Sequence, residues 1–154
     1  MVRNPPDGSP RIVARLAYTD PVAAVAFLQQ GFGFSEIAGA RIGGDNDFLL
    51  TEVAVIDSKI MIGRSGAHGL VSPTETGAYT QSLVVYIDNI DQHYRQAKSA
   101  GAEIVSEPQD QFWGDRRYET RDLEGHHWSF HEHLRDVSAE ELAAHFERFS
   151  EQTG

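Results

Sequence analysis

The sequence of 154 residues contains no cysteine, which excludes disulfides, thiolate nucleophiles and cysteine-ligated metal sites. It has no apolar run near the roughly 20 residues that a membrane-spanning helix needs. Its first ten residues also lack the apolar core of a signal peptide. We therefore predict a cytoplasmic protein with no membrane partner. Any metal ion in it would need His, Asp or Glu ligands.

Basic residues are scarce, since 13 Lys and Arg stand against 23 Asp and Glu, and the formal net charge is −10. Such a charge repels nucleic-acid phosphates and anionic membrane surfaces, so we predict no nucleic-acid partner. A neutral or cationic small molecule suits it better, although an acidic surface also serves solubility alone. Hydrophobic residues make up 40% of the chain, enough for the core of one domain.

Residues 11–64 have the pattern of one βαβββ module. Residues 1–10 before it are proline-rich, and we predict a mobile leader there. A strand over residues 11–19 is followed by a helix. Asp20 is its predicted N-cap, Pro21 is its first residue, and Gly31 with Gly33 ends it. Three strands are predicted to follow, at about 33–41, 47–56 and 59–64.

The same pattern returns over residues 81–133, after a connector over residues 65–79 that is rich in Gly, Ser, Thr and Pro. Asn89 starts the second helix about 69 positions after Asp20 starts the first. Predicted strands lie at about 81–87, 102–106, 116–121 and 126–132. This internal duplication predicts an α+β fold in which two βαβββ modules build a single domain over residues 11–150.

Residues 138–150 are predicted to form an amphipathic C-terminal helix. Ser138 and Glu141 have the spacing of a capping box, and Leu142, Phe146 and Phe149 share one helical face. The helix either closes over the domain or meets a partner subunit.

Motifs of the second half resemble the vicinal oxygen chelate superfamily, in particular glyoxalase/bleomycin-resistance proteins. They are Tyr86-Ile-Asp-Asn-Ile-Asp91, Asp110-Gln-Phe-Trp-Gly-Asp115-Arg and Arg121-Asp-Leu-Glu-Gly125-His-His-Trp128-Ser. The resemblance implies that each module curves around a cavity, with its helix on the outer face. It also implies a homodimer in which paired sheets complete the cavities.

Metal-dependent proteins of that superfamily take ligands, usually His, Gln or Glu, from the first and last strand of each module. The matching positions here are Val13, Ser82 and Ser129, and the fourth falls within Ile60-Met61-Ile62. Divalent ions need several anionic or imidazole donors, and none of these positions supplies one. The resemblance therefore implies that the family's metal is lost, and we predict no cofactor.

Strand alternation indicates which side chains line the cavity. If the family's two ligand positions in the second module point inward, their neighbours two positions away do as well. The aromatic Phe-Trp-Gly loop is expected at the cavity mouth. The predicted ligand-binding residues are Arg15, Ser82, Tyr86, Trp113, Arg117, Glu119, His127, Ser129 and His131.

Plainer interpretations stay open for most of these residues. Trp113 and Tyr86 can fill the core, and Arg117 with Glu119 can form a structural ion pair. His127, His131 and His133 share a strand face and suggest a metal site, yet four strand positions separate the first two by about 13 Å, too far for one ion. A bulge or a ligand from another strand would be needed to complete such a site. The histidines are otherwise polar cavity groups or ordinary strand-end histidines.

Nucleophilic catalysis has no support in the sequence. Ser82 and Ser129 have no recognisable base beside them and lie on no nucleophile elbow. The glycine-rich segment 39–44 leads into a strand, so it predicts a hairpin and no phosphate site.

Three functions remain. The first is a metal-free binding protein of the drug-resistance type, with aromatic and cationic small molecules as candidate ligands. The second is a lyase, isomerase or dioxygenase of the same superfamily, either metal-dependent or using His127 or Glu119 as acid or base. The third is an interaction module that works through the C-terminal helix. We favour the binding protein.

Overall fold

The computed structural model describes residues 2–153 and the side chains of residues 2–148. The first module comprises β1 (Arg15–Tyr18), α1 (Pro21–Phe32), β2 (Ser35–Glu36), β3 (Ile42–Gly44), β4 (Asp47–Val55) and β5 (Ser58–Arg64). After a connector with the short helix α2 (Pro73–Thr76), the second comprises β6 (Ser82–Tyr86), α3 (Ile90–Ser99), β7 (Glu103–Asp110), β8 (Asp115–Arg121) and β9 (His127–His133). The chain ends in α4 (Ala139–Thr153).

The two modules have the same sheet topology. The first sheet has the order β1-β5-β4-β2 with β3 added to β4, and the second has the order β6-β9-β8-β7. In each, the first strand pairs in parallel with the last, and the other pairs are antiparallel. The predicted α+β fold of two βαβββ modules with a C-terminal helix is confirmed.

Both module helices begin where the capping residues predicted. Asp20 accepts a hydrogen bond from the backbone N–H of Ala23, Pro21 takes the first turn, and Gly33 ends α1 in the left-handed conformation. In the second module, the Asn89 side chain accepts from the backbone N–H of Gln92 at the start of α3.

One hydrophobic core serves both modules. Leu16 and Ile62 of the first sheet belong to the same buried cluster as Trp128 and Phe130 of the second. Phe32, at the end of α1, packs its ring against both of those second-module aromatics. The helices therefore cover one face of each sheet and leave the other face uncovered by them.

The turn between β8 and β9 ties the modules together through two buried carboxylates. Asp122 accepts from Tyr18 Oη at 2.6 Å and from Trp128 Nε1 at 3.0 Å. Glu124 accepts from the backbone N–H groups of Thr19 and Asp20 at 2.7 and 2.8 Å. The start of α1 is thus fixed by Glu124, a residue of the second module that is distant in sequence.

Several element boundaries differ from those predicted. The first strand is only Arg15–Tyr18, and the predicted strand over residues 33–41 keeps only Ser35–Glu36. Beyond that pair the chain turns, with a hydrogen bond from Ala40 N to Ile37 O and with Gly39 at positive φ. β7, in contrast, extends to Asp110 with two register shifts.

The connector contains a helix that the sequence analysis missed. Ser72 caps α2 through a capping box with Glu75, and Pro73 occupies the first turn. Ser-Pro-Thr-Glu carries the sequence signature of such a start, but a four-residue helix has no apolar periodicity to reveal it.

The C-terminal helix follows Ser138, whose Oγ accepts from the backbone N–H of Glu141. The predicted capping box is only half formed, because the Glu141 carboxylate accepts from Arg135 instead. His145 stacks on Phe112 at 3.9 Å, so α4 packs on its own domain. The side chain of Phe149, predicted on the same face, lies outside the described residues.

The leader over residues 2–10 contains no helix or strand, while Met1 lies outside the described residues. Its mobility stays a prediction. Within residues 2–153, no helix combines the length and apolar character needed to cross a bilayer.

Candidate functional site

The candidate site lies on the face of the second sheet that points away from the helices, which we call the polar face. On β9, Trp128 and Phe130 are fully buried in the core. The alternate residues His127, Ser129 and His131 therefore point to the opposite side. Through strand pairing the polar face also carries Ser82, Val84 and Tyr86 of β6 and Asp115, Arg117 and Glu119 of β8.

Asp115 organises one end of the polar face. Its side chain is 3% exposed and accepts from His131 Nδ1 at 2.9 Å and from His133 Nδ1 at 2.8 Å. Tyr86 Oη and Trp113 Nε1 donate to the same carboxylate, each at 3.1 Å. Two strands and the loop before β8 therefore converge on a single anion.

The hydrogen bonds keep this carboxylate ionised. Burial alone would raise the pKa of Asp115, but hydrogen bonds from His131, His133, Tyr86 and Trp113 outweigh it and lower that pKa to about 2. Asp115 can therefore only accept hydrogen bonds at neutral pH, and the Nδ1 of His131 must carry a proton. In the neutral imidazole, this leaves the lone pair of His131 on Nε2, where Ser129 Oγ lies at 2.9 Å.

The other end of the polar face is built around His127. Its Nδ1 lies 2.6 Å from Ser82 Oγ, and its ring stacks on Tyr79 with centroids 5.0 Å apart. Glu119 Oε1 lies 3.7 Å from Nε2, too far for a hydrogen bond. Burial lowers the pKa of His127, while Glu119 opposes the shift, so the neutral imidazole is favoured.

Arg117 lies between these two ends with few contacts for its guanidinium. It sits 5.4 Å from the centre of the Trp113 ring, and its contact with Glu119 is long, at 3.6 Å. Within residues 2–148, its Nε is buried without a hydrogen-bond partner. An ion pair with Glu119 therefore uses few of the hydrogen-bond donors of the Arg117 guanidinium.

The polar face is open on the β6 side. Tyr86 is 57% exposed and Val84 is 56% exposed. Tyr86 is thus no core-filling residue, and Trp113 is only partly buried. The solvent-exposed part of the polar face therefore combines aromatic rings with polar groups that hydrogen bonds hold in place.

Arg15 is not brought to the polar face. It lies on the first sheet, where its guanidinium contacts Met61 Sδ at 3.8 Å. It lines a cleft of about 260 Å³ together with Ala17, Tyr79 and His126. Because Tyr79 also stacks on His127, this cleft adjoins one end of the polar face.

The residues at the family's metal positions do not fit a divalent ion. Pairing of Arg15 with Met61 places Met61, of the three candidates Ile60-Met61-Ile62, on the uncovered face of the first sheet. Val13, Met61, Ser82 and Ser129 offer an alkyl group, a thioether and two hydroxyls, a poor donor set. In the described side chains, no group of three or more His, Asp or Glu is placed to hold an ion.

One prediction about the serines is wrong. Each has a histidine beside it, since Ser82 contacts His127 and Ser129 contacts His131. The second contact is between residues two apart on one strand, and strand alternation could have revealed it.

Asp115 and Tyr79 are site residues that the sequence analysis missed. Asp115 lies two positions before Arg117, so the alternation that selected Arg117 and Glu119 also predicted it. Tyr79 lies in the connector, where no strand pattern gives a direction for its side chain.

Comparison with known proteins matches residues 11–130 to the model of the glyoxalase/bleomycin resistance protein/dioxygenase superfamily. An uncharacterized protein of Mycobacterium bovis is 26% identical over 140 residues, covering 88% of this chain and 91% of that protein.

Solved structures show the same fold. TioX from Micromonospora sp. ML1 is 34% identical, with a TM-score of 0.66 over 80% of this chain and 98% of that chain. TnmS3, an antibiotic-binding protein from Streptomyces sp. CB03234, is 16% identical, with a TM-score of 0.60 over 78% of this chain and 92% of that chain. The duplicated βαβββ topology and the family match agree, and the chain belongs to the glyoxalase/bleomycin resistance protein/dioxygenase superfamily.

Proposed function

We propose that this protein binds a small aromatic or cationic molecule on the polar face of its second sheet. The observation that carries the proposal is the Asp115 cluster. A buried carboxylate holds Tyr86, Trp113 and His131 in fixed positions while leaving the Tyr86 ring more than half exposed. Aromatic surface that is both exposed and held by hydrogen bonds is suited to stacking with a flat ligand.

The charges of the site favour the same ligand class. Asp115 and Glu119 are anionic groups beside two aromatic rings, in a chain whose formal net charge is −10. A cation is attracted both to the carboxylates and to the ring faces. Arg117, whose side chain is 30% exposed, adds a guanidinium group that can donate to a ligand oxygen.

The relatives support binding as the general activity. TnmS3 is described as an antibiotic-binding protein, and it shares the fold of this chain. At 16% identity it shows a shared fold alone, and it does not indicate which ligand this chain takes.

A second copy of the chain is proposed to close the site, as the family resemblance implies. Val84 and Tyr86 leave a broad apolar and aromatic surface on β6 exposed in one chain. A small-molecule site normally buries most of its ligand, which a single open sheet does not do. The uncovered face of the first sheet in a partner is the natural cover. The cytoplasmic location stays a prediction from the sequence.

Calorimetric titration with 9-aminoacridine, a planar aromatic cation, tests the proposal. We expect saturable binding to the wild type and a loss of about 5- to 30-fold in affinity for Trp113→Ala. Removal of a stacking indole and a cation–π partner costs about 1–2 kcal/mol, and 1.4 kcal/mol is tenfold. Leu123→Ala, an exposed turn residue outside the polar face, is the matched control. Equal affinities for the wild type and Trp113→Ala would reject the polar face as the site.

A further inference from the structure

We propose that Ser129, His131 and Asp115 act as nucleophile, base and positioning carboxylate in the cleavage of a small carboxylic ester held on the polar face. The inference rests on the proposed function, because the ester is a molecule bound at that same site.

The hydrogen bonds follow the order that a serine hydrolase needs. Ser129 Oγ lies 2.9 Å from His131 Nε2, and His131 Nδ1 lies 2.9 Å from Asp115 Oδ2. Ser129 and His131 are two apart on β9 and so share a face, while Asp115 reaches them from β8. Such a triad is recognised by geometry and roles, and it occurs on unrelated folds.

The hydrogen-bond directions follow for the neutral imidazole of His131. An ionised Asp115 only accepts, so His131 donates through Nδ1 and the neutral ring accepts through Nε2. Ser129 must then donate its hydroxyl proton to Nε2, which is the arrangement of a general base beside a nucleophile. Tyr86 and Trp113 also donate to Asp115, so the carboxylate is held in place.

The second serine–histidine pair, Ser82 and His127, lacks the positioning carboxylate. Ser82 contacts the Nδ1 of His127, and the nearest oxygen of Glu119 is 3.7 Å from Nε2. Among the side chains of residues 2–148, no carboxylate therefore lies within hydrogen-bond distance of His127 to fix its tautomer. This contrast favours Ser129 over Ser82 as the nucleophile.

The surroundings of Ser129 suit an ester. Ser129 itself is only 5% exposed, but its strand partner Val84 on β6 is 56% exposed, so an ester would approach the hydroxyl from the β6 side. Arg117 lies opposite His131, and its side chain is 30% exposed. The positive charge of its guanidinium can stabilise negative charge that develops on the carbonyl oxygen.

The reaction balances without a cofactor. Ser129 Oγ bonds to the carbonyl carbon while its proton passes to His131 Nε2. The bond from that carbon to the leaving oxygen breaks, and the alcohol takes the proton from Nε2. Water then attacks the acyl-serine, gives a proton to Nε2 and releases the acid as Ser129 recovers that proton. The sum is ester plus water giving acid plus alcohol.

Labelling with diisopropyl fluorophosphate, located by peptide mass spectrometry, tests the inference on the full chain. We expect one phosphoryl adduct, on Ser129, which is absent in Ser129→Ala and retained in the exposed helix variant Ser99→Ala. His131→Gln should slow labelling by about 100-fold or more, as loss of a general base does. Asp115→Asn should slow labelling when His131 is present, but the double variant Asp115→Asn/His131→Gln should be labelled as fast as His131→Gln alone. If Asp115 had only a structural role, the double variant would be labelled more slowly than His131→Gln.

Titration of the same preparations with 9-aminoacridine separates the two proposals. Binding without any adduct on Ser129, or with the adduct on Ser82, would overturn the triad and leave the binding site standing. Labelling of Ser129 at an equal rate in the wild type and His131→Gln would also overturn it. Circular dichroism of each variant establishes that it is folded.

Discussion

At the scale of single residues, the buried polar groups are held in defined protonation states by their partners. His93 of α3 is the clearest case outside the site. Its Nε2 lies 3.0 Å from the carbonyl of Phe32, so that nitrogen must carry the proton, and its Nδ1 accepts from Tyr118 Oη at 2.7 Å. Burial lowers the pKa of His93 and so favours this neutral imidazole.

The pH dependence of stability should report this state of His93. Burial lowers the pKa of His93, and the bond to the Phe32 carbonyl only partly opposes that shift. The stability contributed by neutral His93 is therefore complete above the unfolded value of about 6.5 and is lost as pH falls towards the folded pKa. We expect the free energy of unfolding in urea to fall more steeply between pH 7.5 and 5 for the wild type than for His93→Gln.

His93→Gln keeps one donor and one acceptor but cannot titrate in this range. His127 and His133 titrate in both proteins, so the difference between the two curves isolates His93. Parallel curves would contradict the assignment of a neutral, buried imidazole.

At the scale of elements, the β8–β9 turn positions a helix of the other module. Glu124 accepts from two backbone N–H groups at the start of α1 and from the hydroxyls of Thr19 and Ser72. These hydrogen bonds outweigh burial and lower the pKa of Glu124. A carboxylate beside a helix N-terminus also gains from the helix dipole.

Glu124→Gln should therefore destabilise the fold by about 1–3 kcal/mol, because one acceptor oxygen becomes a donor facing other donors. The matched variant Glu103→Gln, which breaks an exposed ion pair with Arg121, should cost less than about 1 kcal/mol. Urea unfolding of both variants measures the difference. Equal losses would mean that the turn does not anchor α1.

The β4–β5 turn should yield a stabilising substitution. Ile56 has φ of 56°, a conformation that a β-branched side chain adopts only with strain, and it is 70% exposed. Ile56→Gly relieves that strain and removes little buried surface. We expect an increase of about 1 kcal/mol in the free energy of unfolding. A loss of stability would indicate that the Ile56 side chain makes a contact worth more than the strain.

The contrast between predicted and observed elements has a physical basis. The helices of both modules and the polar face of β9 followed from caps and from alternation, which are local properties of the chain. Asp115 followed the same alternation, but its partners Tyr86, His131 and His133 are distant in sequence, so nothing local marks it as the centre of a cluster. Tyr79 and α2 escaped prediction because their positions depend on contacts with β9 and with the β8–β9 turn, which lie about 50 positions away.

At the scale of the whole molecule, two similar sheets share one layer of helices and each leaves one face uncovered by it. A single chain therefore presents the polar face with Val84 and Tyr86 exposed. We expect a homodimer in solution, because pairing of two uncovered faces buries this surface and encloses the ligand. Light scattering should give twice the 17.1 kDa of one chain, and a single species at 17.1 kDa would contradict the dimer.

The central claim is that ligand binds on the polar face, and the two tryptophans make it directly measurable. The indole N–H of Trp113 donates to Asp115 in the site, whereas that of Trp128 donates to Asp122 in the core. Titration of ¹⁵N-labelled protein with 9-aminoacridine should shift the Trp113 indole resonance, assigned by its loss in Trp113→Phe, and leave that of Trp128 nearly unmoved. An unmoved Trp113 resonance at saturating 9-aminoacridine would contradict the account.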